Sequence, residues 1–253
     1  MEIRIQKWMA QLGIVSRRQA EQWIQDGRID VNGRRLNQLG FKLNPEKDII
    51  KLDGRSLNTH LPPKIYWLLN KPLGVLCSRV AQGKKRTIFS LEKLRHCPFK
   101  LESVGRLDYL TEGLLLLTND GDLANKLCHP RYHIPRHYQV LLSKRLSRLQ
   151  LNQLQHGIML EDGKTEGIEA RFIHHELGQG QKGFWYGITV HEGRNRLIRR
   201  LFKKLNIDVQ RLIRHGFGDV RLPSDLPPGQ YRQLTGNEVK FLKQSTAQPT
   251  TRY

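Results

Sequence analysis

The sequence predicts an α+β protein in which a small helix-rich module precedes a larger domain built around a sheet. Three observations predict it. The first sixty residues carry two helical apolar stripes followed by short strand-and-turn patterns. A polar break containing Pro62 and Pro63 follows, and the pair forces extended backbone that continues neither neighbour. From residue 65 onward, apolar runs of strand length mix with helical patterns without strict alternation, which favours α+β over a doubly wound parallel sheet.

Taken in order, Ile5, Trp8, Met9 and Leu12 recur at helical spacing, and Gly13 stops that helix. Ser16 with Gln19 three residues on is a capping-box pattern, in which each side chain satisfies an orphan backbone donor. Ala20, Trp23 and Ile24 form the buried stripe of this second helix, which Gly27 ends. Strands at 29–31 and 48–52 run into turns at Asn32 with Gly33 and at Asp53 with Gly54. Two helices on a few short strands bury little surface, so residues 1–60 read as a module that binds rather than one that encloses a pocket. Residues 61–64 are the expected linker and residues 65–243 the larger domain. Its strands are expected at 65–69, 113–118, 138–142, 185–190 and 209–213, and its main helices at 123–127, 146–157 and 196–205. Residues 244–253, rich in Thr and Gln, are expected to form a flexible tail.

Charge narrows the partner. Lys and Arg number 43 against 23 Asp and Glu, a formal net charge of +20. An excess of that size attracts polyanions, nucleic acid first and anionic membrane surfaces second. No stretch is apolar enough to span a bilayer, and the first residues lack the apolar core of a signal peptide. Cys77, Cys97 and Cys128 are scattered and include no C-x-x-C pair, which argues against a disulfide framework or a zinc site and for the reducing cytoplasm. Gly178, Gln179 and Gly180 lie in a polar stretch rather than between a strand and a helix, so they are no dinucleotide fingerprint, and no phosphate-binding P-loop is present.

The most informative segment is GRLDYLTEG at 105–113, followed by LLLLT at 114–118 and NDG at 119–121. Gly105 and Gly113 bracket a loop that leads into a buried strand, and Asp108 sits on that loop beside Arg106. Nearby cations favour the ionised carboxylate. On residues alone, Asp108 is a nucleophile, a general base or a structural acceptor for backbone donors.

This segment resembles the signature of the RsuA/RluB group of ribosomal RNA pseudouridine synthases, close to G-R-L-D-x-x-T-x-G-L-L-L-L-T-x-D-G. LNKPLG at 69–74 is similar to the group's L-x-K-P-x-G strand. His129 and Pro130 with RHYQV at 136–140 resemble its H-P…K-x-Y-x-V segment, and EGRNRLIRR at 192–200 its E-G-R-N-R-x-V-R-R motif. Residues 1–60 resemble the alpha-L RNA-binding fold. Two positions depart from the pattern: Leu197 stands where Gln or Glu is usual, and Arg136 where Lys is common.

The resemblance implies an alpha-L domain followed by a synthase domain with a mixed, mostly antiparallel sheet. It implies Asp108 as catalytic carboxylate, Tyr138 as the active-site tyrosine and Arg199 as the basic partner of Asp108, with Arg106, Leu107 and Ile198 supporting the site. Arg199 is expected to hold Asp108 through a bidentate contact. Tyr138 is expected to stack on the target base or to assist the final proton removal. Arg17, Arg18, Arg28, Lys71, Arg196, Arg200 and Arg214 are the expected phosphate contacts. The run at 185–190, with 211–214 and 226–229, is closest to the group's large-subunit branch, which implies a uridine near the peptidyl transferase centre of 23S rRNA. A 16S uridine is the alternative. The reaction is an isomerisation, so no cofactor and no metal is expected; the target base is expected to flip out of its stack. Ribosomal RNA, free or in an assembly intermediate, is the expected partner of a monomer that binds no membrane. Two rival readings keep the RNA affinity and drop the isomerisation. A non-enzymatic RNA-binding protein gives Asp108, Tyr138 and Arg199 no purpose, and an RNA methyltransferase needs a Gly-rich loop after a strand that this sequence lacks.

Overall fold

Hairpin chemistry and helix stripes set the first part of the chain. The computed structural model describes residues 2–174 and 183–248; Gly178, Gln179 and Gly180, and residues 249–253 of the expected tail, lie outside the described residues. Contacts divide the chain into two units: Met1–Ile65 with Pro98–Leu101 and Asn119–Gly121, and Tyr66–Cys97 with Glu102–Thr118 and Asp122–Tyr253.

In the first unit, β1 (Ile3–Arg4) leads directly into α1 (Ile5–Gln11) and is followed by α2 (Arg17–Gln25), β2 (Ile29–Val31) and β3 (Arg34–Leu36). β4 (Lys42–Leu43), β5 (Ile50–Leu52) and β6 (Arg55–Ser56) complete it. A four-stranded sheet runs in the order β3-β2-β5-β6, while β1 pairs with β4. Asn32 and Gly33 have φ of 53° and 80°, and Asp53 and Gly54 have φ of 50° and 79°, the double positive φ that tight hairpins require. Ile5, Trp8, Met9, Ala20, Ile24, Ile29, Leu43 and Ile50 pack as one core between helices and sheet. The expected capping box is one-sided: Ser16 Oγ accepts from the Gln19 N–H at 3.2 Å, while the Gln19 side chain stays exposed. Trp23 leaves the expected stripe half-exposed and carries the Arg28 guanidinium 4.8 Å over its ring.

The second unit contains β7 (Tyr66–Lys71), α3 (Glu92–Arg95), β8 (Glu102–Ser103), β9 (Glu112–Thr118), α4 (Gly121–Cys128) and β10 (Arg136–Leu142). It continues with α5 (Arg148–His156), β11 (Met159–Leu160), β12 (Gly163–Lys164), β13 (Ala170–His174), β14 (Phe184–Val190) and α6 (Leu197–Lys204). β15 (Val209–Phe217), β16 (Val220–Arg221), β17 (Tyr231–Gln233) and α7 (Gly236–Gln244) close it. The main sheet runs β13-β14-β10-β15-β9-β7-β17. Every neighbouring pair on that path is antiparallel except β9 with β15, so the sheet is mixed and mostly antiparallel. The uninterrupted apolar run Leu114 to Leu117 is explained by its central place, since all four side chains are buried whichever face they point to. One face packs Leu68, Leu114 and Leu116 against Leu123 and Leu127 of α4 and Leu242 of α7.

β9 and β15 come from far apart in the chain and meet in parallel with Arg214 opposite Gly113. A Cβ at position 113 would lie 2.3 Å from the Arg214 carbonyl oxygen, and Gly113 has φ of 100°, so only glycine fits this crossing. β15 extends four residues past the expected end at 213, and β17, α7 and the β11–β12 hairpin were not anticipated. Backbone hydrogen bonds from Ser245, Thr246 and Ala247 continue the end of α7, with Thr246 only 2% exposed, so order passes the expected boundary at 244. Among the described residues no helix is long and apolar enough to cross a membrane.

Candidate active site

The second unit encloses a cavity of about 510 Å³. Its walls come from the 104–111 loop, β10, the 190–196 loop, α6 and β15, so residues widely separated in sequence converge on it. Asp108, Tyr138 and Arg199 all line this one cavity, as do Arg106, Leu107 and Ile198.

The loop that carries Asp108 is held from several directions. A turn closes on it, with the Thr111 N–H donating to the Asp108 carbonyl at 3.0 Å. From the adjoining segment, the Gly74 N–H donates to the Tyr109 carbonyl at 3.0 Å, and Cys77 Sγ accepts from the Leu107 N–H at 3.3 Å. Lys71 Nζ donates to the carbonyls of Thr111 at 2.7 Å and Pro72 at 3.1 Å. These contacts fix the loop backbone while leaving the Asp108 side chain 26% exposed to the cavity. Leu107, which also lines the cavity, is buried at 5% exposure.

The basic partner of Asp108 is not the expected one. Arg196, not Arg199, forms the ion pair, with Nη1 3.8 Å from Asp108 Oδ2. Arg196 is the residue before α6 and has left-handed backbone, φ 47° and ψ 32°. A non-glycine residue in that region is rare and carries strain, and such outliers gather at functional sites. Arg199 instead donates Nη2 to the Leu110 carbonyl at 2.6 Å and Nη1 to that of Val209 at 3.2 Å. These two carbonyls take the guanidinium fork that the resemblance assigned to the carboxylate. Arg199 still senses the site: burial holds its pKa below the ordinary value, Arg196 adds to that, and Asp108 opposes it. Ile198 is buried beside it at 5% exposure.

On the cavity floor Tyr138 lies in register with Ile188 of β14 and Arg214 of β15. The register of β10 against β15 slips between His137 and Tyr138, so that His215 has no opposite residue on β10. That bulge corrects the alternation of β15, so that Arg214 and Phe217 share the face of Tyr138 and Arg136 instead of opposing each other. Both guanidiniums then lie on the Phe217 ring, Arg136 at 5.5 Å and Arg214 at 5.3 Å from its centroid. Burial pushes the pKa of Arg136 down, and Arg214 pushes it further.

Several expected phosphate contacts are placed elsewhere. Lys71 is fully buried and Arg214 only 2% exposed, so neither lies on an open phosphate-binding surface. Arg200 holds Asp162 with both Nη groups, and Arg194 joins it on the same carboxylate through Nε and Nη2. Arg28 binds Asp53 in the same two-pronged way. Arg17, Arg18, Arg106 and Arg196 are exposed. Sequence reading missed Asp162 entirely; the Asp-Gly pair at 162 and 163 marks the β11–β12 turn and was the available signal. It also missed Cys77, for which no sequence signal exists. Among the described residues no group of three His, Cys, Asp or Glu side chains is placed to hold a metal ion.

A model of the RNA pseudouridylate synthase family matches residues 65–204, and one of the S4 domain matches residues 3–50. A protein of Aquifex aeolicus named an uncharacterised RNA pseudouridine synthase is 40% identical over 244 residues, covering 96% of this chain and 94% of its own length. The ribosomal large subunit pseudouridine synthase B of Bacillus subtilis is 38% identical over 240 residues and covers 95% of both chains. A crystal structure of a pseudouridylate synthase superposes with a TM-score of 0.65 at 30% identity, covering 95% of this chain and 99% of that one. The chain is therefore a member of the RNA pseudouridylate synthase family, an isomerase that carries an N-terminal S4 domain.

Proposed function

We propose that this enzyme converts a uridine of 23S ribosomal RNA, near the peptidyl transferase centre, to pseudouridine, with Asp108 as the catalytic carboxylate. The observation that carries the reading is the placement of Asp108: a partly exposed carboxylate at a cavity wall, on a loop fixed by backbone hydrogen bonds, with Arg196 beside it and Tyr138 on the floor. The ribosomal assignment is supported by relatives named ribosomal large subunit pseudouridine synthase B, among them the Bacillus subtilis protein at 38% identity.

In this reading the target nucleotide leaves its stack and enters the cavity, because the sugar–base bond is unreachable inside a helix. Asp108 begins the reaction at the sugar, by attack on C1′ to form an ester or by removal of the C2′ proton to form a glycal. Both routes use the carboxylate as an anion, and Arg196 places its guanidinium 3.8 Å from it. The freed uracil turns over Tyr138 and rejoins through C5. The C5 proton is then lost and N1 gains one, so no electrons are exchanged with anything outside the nucleotide. Residues 1–60 hold structured RNA through the exposed Arg17 and Arg18, residues 61–64 link the two parts, and residues 65–243 carry the chemistry in a single copy of the chain. Arg106 and Arg196 guide the backbone at the cavity.

The test is Asp108→Asn, assayed on deproteinised 23S rRNA fragments with and without bound assembly proteins. Pseudouridine formation is expected to fall by on the order of 10⁴-fold or more, while RNA affinity stays within a few fold. Turnover of that variant close to the parent's would remove Asp108 from its role. Modification confined to 16S fragments would move the target to the small subunit.

A further inference from the structure

The cavity floor holds a charge arrangement that the chemistry of Asp108 does not use. Arg214 is 2% exposed and Arg136 9% exposed. Neither occurs in any ion pair described for the molecule, whose arginine partners are Arg28, Arg79, Arg194, Arg196, Arg200, Arg211 and Arg232. Arg136 spends Nη1 on the carbonyls of Ile134 and His191. Arg214 is anchored at one end by Nε on the Leu114 carbonyl at 2.8 Å, and its buried Nη2 has no hydrogen-bond partner. Burying a guanidinium with unmade hydrogen bonds is costly, and burying two side by side without a carboxylate costs more. A site retained at that cost fits an electron-rich ligand that supplies the missing acceptors.

Resting on the reading above, we infer that Arg214, with Arg136 behind it, is a catalytic residue that binds the carbonyl oxygens of the flipped uracil. It stabilises the negative charge the ring takes up as the glycosidic bond breaks. When N1–C1′ parts, the bonding pair leaves with N1 and spreads over O2 and O4, while Asp108 provides for the sugar by either route. The guanidinium donates hydrogen bonds and transfers no proton. A donor preset where charge develops is an effective form of electrostatic catalysis. The occupant is the base rather than a phosphate for a geometric reason. A phosphodiester is joined to chain on both sides and cannot reach a floor lined by side chains this deeply buried, whereas a flipped base is the free end of its nucleotide. The flat partners are consistent with this, since Tyr138 and Phe217 present rings on the same sheet face as the two guanidiniums.

The test uses leaving-group strength. Fluorine at C5 makes uracil a more stable anion, so a 5-fluorouridine substrate depends less on Arg214. Single-turnover rates of glycosidic rearrangement are measured on an rRNA fragment transcribed with either uridine or 5-fluorouridine. Arg214→Gln is expected to slow uridine by about 100-fold and 5-fluorouridine by distinctly less, with RNA affinity unchanged. The ratio of the two rates in one preparation does not depend on how much of it is folded. Should the Gln variant not fold at all, Arg214→Lys keeps a positive charge without the planar fork, and its ratio is expected to move in the same direction. Equal losses on both substrates would make Arg214 a structural residue. Weaker RNA binding with unchanged kcat would make it a phosphate contact. Either result overturns the inference while wild-type turnover and the Asp108→Asn loss leave the wider reading standing; a wild type that forms no pseudouridine would sink that reading instead.

Discussion

The two units of the molecule use the same basic side chains in opposite ways. In the N-terminal unit most cations stand outside: Arg17, Arg18, Arg34, Arg35 and Lys42 are exposed, while Arg28 is engaged with Asp53. In the larger unit most cations around the cavity are buried or engaged by the protein itself, with Arg106 and Arg196 left exposed. Lys71 and Arg199 hold backbone carbonyls, Arg194 and Arg200 share Asp162, Arg211 binds Glu112, and Arg136 and Arg214 are buried. An exposed cation acts at long range on any polyanion and is screened by salt, whereas a buried one acts on a single neighbour and is not. A net charge of +20 therefore describes two different devices, a diffuse grip and a rigid frame.

The sharpest way to break that distinction is Lys71→Met, which keeps the aliphatic stem and removes the ammonium. Burial already pushes the Lys71 pKa below its ordinary value, with Cys77, Glu112 and Asp108 opposing, so this charge is held for its two carbonyl bonds to Thr111 and Pro72. Losing them frees one end of the Asp108 loop. A displacement near 1 Å at a reacting group costs about 100-fold in rate, so kcat is expected to fall by that order with RNA affinity unchanged. A loss of affinity with kcat intact would return Lys71 to the phosphate-binding role the sequence suggested.

The converse variant is Arg17→Gln with Arg18→Gln. Here kcat under saturating RNA should hold, while affinity falls and the slope of log affinity against log salt flattens by roughly one for each phosphate contact removed. An unchanged slope would mean that the exposed arginines of the N-terminal unit serve something other than RNA. The two experiments cross: one variant should move only the rate, the other only the binding.

How far the sequence could reach follows the same division. Helix stripes, the Asn-Gly and Asp-Gly turns and the apolar run 114–117 are local patterns, and each predicted an element near its observed place. The Asp108 loop was readable because its residues are contiguous. The ion pair of Asp108 was not, because the choice between Arg196 and Arg199 depends on a left-handed residue at the start of α6, and nothing in the string Arg-Asn-Arg-Leu announces one. The cavity floor was hidden more deeply. Arg214 and Phe217 are three residues apart, a spacing that puts strand residues on opposite faces, and only the bulge at His215 brings them together. α7 is a different case, since Thr235 and Glu238 form a full capping box that the sequence displays and the reading passed over.

The bulge has one more consequence, and it supplies the smallest effect. His137 and His215 lie on the other face of β10 and β15 with ring centroids 6.0 Å apart, and His137 Nδ1 contacts Thr189 Oγ1 at 3.0 Å. Burial holds both pKa values below the ordinary 6.5; Arg221 and His191 push His137 further, with Asp219 and the Gly218 carbonyl opposing, and His137 and Arg221 push His215. These are basic groups that the fold keeps neutral, a third use beside the grip and the frame. Above pH 6.5 neither folded nor unfolded chain protonates them, and they contribute nothing. As pH falls below that value the unfolded chain takes up protons that the folded chain refuses, so stability declines until the folded pKa values are reached. The carboxylates held low by their partners, Asp48, Asp53, Asp162 and Glu238, titrate in the unfolded chain near 3.8 to 4.5 and act in a separate, more acid window. Melting temperatures between pH 8 and pH 5 at constant ionic strength should therefore fall for the parent and fall less for His215→Gln, by a difference of roughly 2 °C. Parallel curves for the two proteins would show that the histidine pair costs the fold nothing on protonation, and that the floor of the cavity can carry positive charge on both faces of the sheet.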